Sequence, residues 1–152
     1  MRKLTVLVAV LLVAALAGTA LAEMKPGSGA GRVLLFESTL FSCQDGASDT
    51  SGRPFGFVVM NTNRKGDLIV QVSLKRAQPN QTYDIWVNQA TVETDPVSCE
   101  LSATTALAAL KTNRMGNGNA MVKVPKVAGA SRFWVSATSA TLMLRSTAVT
   151  LD

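Results

Sequence analysis

Asp67 to Leu74 reads DLIVQVSL, with Leu68, Val70, Val72 and Leu74 facing one way and Gln71, Ser73 and the following Lys75 the other. Side chains alternate across a strand, so this period of two describes one face on a core and one in water. Ile69 breaks the pattern by placing an apolar side chain on the outer face. Similar short segments lie on both sides of the run. Phe55 to Met60 precedes it, joined through the polar Asn61 to Gly66, and Arg32 to Ser38 comes earlier still. Downstream, Thr82 to Asn88 puts Tyr83, Ile85 and Val87 on one side and Asp84, Trp86 and Asn88 on the other. Ala106 to Lys111 follows, then a turn built on Gly116 and Gly118, and Ala120 to Val124 stopped by Pro125. Ser131 to Ala137 and Arg145 to Leu151 close the chain. About eight short strands with Gly, Asn and Pro between them predict an all-β fold, an antiparallel β-sandwich over 32–152. Ser102 to Leu110 suits a helix by its alanines and leucines, but it has no long amphipathic repeat and reads as irregular chain leading into a strand.

The beginning of the chain has a different character. Met1-Arg2-Lys3 is basic, Leu4 to Gly18 is apolar, and Thr19-Ala20-Leu21-Ala22 ends in an Ala-x-Ala pattern before Glu23. That is the layout of a secretory signal peptide, predicted to span 1–22 and to form a helix. The alternative is a retained anchor, because Leu4 to Leu21 approaches the length that crosses a bilayer. Lys25 to Gly31 reads KPGSGAG, and 23–31 is expected to be a flexible leader. Removing 22 of the 152 residues leaves 130, enough for one domain with a real core. The formal charge of +5 falls to +3 once Arg2 and Lys3 leave with the signal. The remaining basic residues are scattered, which argues against nucleic acid as a partner and leaves a protein or an envelope polymer.

The sequence has no histidine. That removes Ser-His-Asp and Cys-His catalysis and His-ligated metals, and the ten carboxylates are dispersed. No catalytic residue, cofactor or metal is expected, and the protein reads as a non-enzyme. Cys43 and Cys99 are the two cysteines. An exported protein meets oxidising conditions, so the expected pairing is one bridge between them. Chain entropy gives about 4 kcal/mol for a closed loop of that size.

Leu74 to Val87 reads LKRAQPNQTYDIWV and resembles the corner of fibronectin type III and related immunoglobulin-like domains. There a strand ends in Leu, turns through Pro and restarts at Thr-x-Tyr, with the tyrosine hydroxyl bonded back to the turn. Leu74, Pro79 and Tyr83 match those positions, so the resemblance implies immunoglobulin-like character and a buried Tyr83 bonded near Ala77 to Pro79. At least three strands follow Val87, where a fibronectin module would have one.

Three further features bear on function. Asp45 to Ser51 (DGASDTS) is rich in oxygen but carries two carboxylates at no metal-loop spacing, and reads as a solvated loop. Asn80-Gln81-Thr82 is a glycosylation sequon, with a turn role for Asn80 as the plainer reading. Trp86 falls on the outer phase of its strand, while Phe133 and Val135 suit either face and leave the phase of Trp134 open; the two tryptophans are the candidate binding surface, either as an aromatic platform or as caps on the core edge. The expected protein is a secreted structural or interaction component of the cell envelope or extracellular space. The alternative is a carbohydrate- or small-ligand-binding module using an aromatic sheet face.

Overall fold

The computed structural model describes residues 30–38, 41–42, 46–47, 49–91 and 107–151, and within these the chain is strand and turn with no helix. The strands are β1 (Ala30–Glu37), β2 (Phe41–Ser42), β3 (Gly46–Ala47), β4 (Gly56–Thr62), β5 (Asp67–Leu74) and β6 (Thr82–Thr91). They continue as β7 (Ala108–Lys111), β8 (Gly118–Pro125), β9 (Ala130–Thr138), β10 (Met143–Ser146) and β11 (Val149–Thr150). The DLIVQVSL run forms β5 with the bounds its alternation predicts. The first strand starts earlier than expected, because Ala30 and Gly31 already pair with Asn61 and Met60. Signal segment 1–22, most of the leader and the first part of the Ser102 to Leu110 stretch lie outside the described residues; 108–110 is strand.

All pairings are antiparallel, and the main sheet runs β7-β6-β9-β10-β1-β4-β5-β8, with β11 also on β9. Its two end strands are consecutive in sequence and joined by the turn at 112–117, so the sheet curls until its ends meet in a nearly closed, barrel-like form. Two glycines permit this closure. A Cβ on Gly118 would stand 2.7 Å from the Lys111 carbonyl oxygen, and Gly116 adopts φ +72° with the Ala77 carbonyl where its Cβ would be.

The stretch from Arg145 to Leu151 is not one regular strand. Met143 pairs with Thr138 but Val149 pairs with Phe133, so one extra residue is accommodated between β10 and β11 as a bulge. There the Val135 N–H donates to the Ser146 hydroxyl at 3.0 Å, which satisfies a buried donor that the interrupted ladder leaves over. Gly46 of β3 bridges Thr147 at the same place.

One core cluster fills the inside. It takes Leu35, Val58, Met60, Val70, Val72 and Leu74 from one half of the sheet and Tyr83, Ile85, Val87, Phe133, Val135 and Leu144 from the other. Each aliphatic side chain buried here contributes about 1.5–3 kcal/mol before conformational entropy is set against it. The corner at Leu74 to Val87 forms as the resemblance implies: Tyr83 is fully buried and its hydroxyl accepts a hydrogen bond from the Gln78 N–H at 3.1 Å. At the opposite end the buried Gln89 side chain bonds the Pro125 carbonyl and the Val127 N–H, tying the β8–β9 turn to β6.

Candidate functional site

The two tryptophans share the outer phase, since Trp86 pairs with Ser136 and the neighbouring Asn88 with Trp134. Their surroundings differ. Trp86 is half-buried and more exposed than Ile85 and Val87, as the alternation requires. Trp134 is 1% exposed, covered together with Ala90, and packed against Ala148 of the bulge. It therefore offers no binding surface, and the two rings do not form a platform. Strand alternation gives the face of a residue but not what a later bulge lays across it. Cys43 and Cys99 lie outside the described residues, as do Asp45 and Ser48 of the oxygen-rich loop. In the described part of that loop, Ser51 donates through both its N–H and hydroxyl to Asp49 Oδ1, and these bonds hold the Asp49 carboxyl below its ordinary value. Asn80 has φ 54°, the left-handed turn conformation that asparagine tolerates. No group of three or more metal-ligating side chains occurs among the described residues.

A different face carries the apolar surface. Across β1, β4, β5 and β8 the outward residues fall into ranks set by the register: Leu34, Phe57, Ser73 and Asn119; then Arg32, Val59, Gln71 and Met121; then Asn61, Ile69 and Lys123. Leu34 and Met121 are 42% and 69% exposed, and Phe57, Val59 and Ile69 are half-buried between them. The Phe57 ring, Gln71, Ser73, Asn119 and Met121 line an open groove of about 420 Å³. A run of apolar side chains on a solvent-facing sheet surface marks contact with another molecule more often than scattered single residues do.

The rim is cationic and held in place. The Arg32 guanidinium lies 4.2 Å from the Phe57 ring centroid, and Lys123 Nζ is 2.9 Å from Asp67 Oδ2. The Lys123 hydrogen bond, aided by Asn63, holds the Asp67 carboxyl below its ordinary value. Sequence reading missed this face. The signal was present in Ile69 and in Leu34, Phe57 and Val59, apolar residues standing where strict alternation asks for polar ones.

Comparison with protein-family models, with curated proteins and with solved structures found no match.

Proposed function

We propose that this is an exported structural or interaction protein of the cell envelope or extracellular space, not an enzyme, stapled by a Cys43–Cys99 bridge. Its contact surface would be the outer face of β1, β4, β5 and β8. The observation that carries this reading is the rank of Leu34, Phe57, Val59, Ile69 and Met121 across four strands with Arg32 and Lys123 at its rim. We read the curled sheet as a sandwich of immunoglobulin-like character, its two halves packed across one core; the Tyr83 corner and the shared core cluster support that description. A protein partner fits this surface better than a sugar platform does, because Trp134 is buried and one half-exposed Trp86 remains.

The test is crosslinking at the cell surface of the native host, comparing wild type with Val59→Glu and Met121→Glu. Both side chains point away from the core, so the variants should keep the wild-type unfolding midpoint while losing the crosslinked species. Unchanged crosslinks in both variants would overturn the assignment of this face. A saturable tryptophan-fluorescence response to neutral glycans that disappears in Trp86→Ala would favour the ligand-binding alternative.

A further inference from the structure

The turn that closes the sheet carries a second surface of different chemistry. Asn80, Lys111, Asn113, Arg114 and Asn117 line an open groove of about 670 Å³ at one pole of the barrel. Its polar side chains are oriented by the turn itself. Asn113 Oδ1 accepts from the Met115 and Asn117 N–H groups at 2.8 and 3.0 Å, and Asn117 Oδ1 accepts from the Arg76 N–H at 3.3 Å. With both carbonyl oxygens engaged by backbone, the Nδ2 donors of these amides have no hydrogen-bond partner among the described residues. Thr112 is withdrawn from the surface: its hydroxyl donates to the Gln78 carbonyl and accepts from the Gln81 N–H. The groove therefore presents N–H donors and two cations, and its lining contains no carboxylate.

Positive charge continues past the groove. Arg76 is exposed and held at φ 57°, a conformation that costs a non-glycine residue free energy, and its carbonyl accepts from Arg53 Nη2 at 3.5 Å. Lys75 precedes it, tied through its N–H to the Phe55 carbonyl at 2.6 Å. Among the described residues Asp84 is the carboxylate on the neighbouring strand, paired with Ala109 two residues up β7 from Lys111. Among the described residues Lys123 pairs with Asp67, on another face, and no described carboxylate forms an ion pair with Lys111 or Arg114.

We propose that this groove binds a polyanionic glycan, a polysaccharide carrying sulfate or carboxylate groups. Fixed amide donors flanked by Lys111 and Arg114 complement oxyanions, and an open groove of this volume suits a polymer segment better than one small ion. Single-stranded nucleic acid fits less well, since the groove has no aromatic ring on which a base could stack. A membrane surface fits less well because Met115 is the sole large apolar side chain lining it. This site is independent of the outer face of β1, β4, β5 and β8, and either can fail without the other.

The experiment is titration of the purified exported protein with heparin, as a sulfated polysaccharide, between about 50 and 200 mM salt. Lys111→Gln/Arg114→Gln should weaken binding about tenfold at low salt and reduce the slope of log affinity against log salt by about two. Arg64→Gln/Lys65→Gln, at the opposite pole, should change affinity by less than about twofold. Asn113→Asp/Asn117→Asp keeps the oxygens that accept from backbone while replacing the outward donors by negative charge; it should weaken heparin binding with the unfolding midpoint retained. Equal losses in the two cation variants would mean general electrostatic attraction and overturn the proposal. So would tighter binding to a single-stranded oligonucleotide or to phosphatidylglycerol vesicles than to heparin, or no saturable binding to heparin.

Discussion

Tyr83 has no exposed surface, and the Gln78 N–H depends on its hydroxyl for a partner. Tyr83→Phe keeps the ring and deletes that acceptor, so we expect a loss of about 1 kcal/mol in denaturant unfolding with little change in structure. A wild-type stability in Tyr83→Phe would mean that water replaces the hydroxyl without cost. A second residue-scale prediction concerns Asp67, whose carboxyl is lowered first by the Lys123 hydrogen bond and then by Asn63. A carboxylate depressed on folding stabilises the native state above its unfolded value of about 3.9, and that contribution is lost as pH falls through the lower folded value. Lys123→Gln should therefore raise the Asp67 value seen in a carboxyl NMR titration and shrink the acid-side loss of stability. An unmoved titration would show that Asn63 and solvent set the carboxyl.

The elements differ in how openly the sequence displays them. β5 was legible to the residue because DLIVQVSL faces core and water in strict turn, and Tyr83, Ile85 and Val87 fixed the phase of β6 in the same way. The all-β, antiparallel character followed from such segments and their turns. The division into β10 and β11 was not legible, since RSTAVTL reads as one strand and the extra residue emerges only when its register against β9 is known. The burial of Trp134 was hidden for a related reason: its cover comes from Ala90 of β6 and Ala148 of that bulge, both distant in sequence. The contact face was half legible, as apolar residues out of phase, but the register that ranks Leu34 beside Phe57 and Met121 beside Gln71 is a property of the assembled sheet. Closure offers a test at this scale. A Cβ at Gly118 would meet Leu110 Cδ2 at 2.5 Å as well as the Lys111 carbonyl, so Gly118→Val should destabilise by about 1–3 kcal/mol through overpacking. Chemical denaturation measures this, and a neutral result would show that β7 and β8 can separate freely.

At the scale of the whole molecule, the proposed bridge and the proposed export make linked predictions. Mass spectrometry of protein purified without reductant should show Cys43 joined to Cys99, and Cys43→Ser should lower the thermal midpoint by removing a constraint of about 4 kcal/mol on the unfolded chain. Two free thiols would refute the bridge. N-terminal sequencing from the native host should begin at Glu23, whereas a chain that keeps Met1 in the membrane fraction would favour the anchor. The pairing of β1 with β10 adds something that no single strand contains. Leu35 lies opposite Ser146, so the middle of the sheet joins the first and last parts of the domain. Synthesis delivers those partners at opposite ends of its schedule. Before β10 has been made, β1 and β4 can form a hairpin-like pair, but the ring of strands is incomplete and the core stays open. Completion waits for β10 and β11. The pairing of β1 with β10 thus makes closure of the core a late event of synthesis, set by where the partners of the middle of the sheet lie in the sequence.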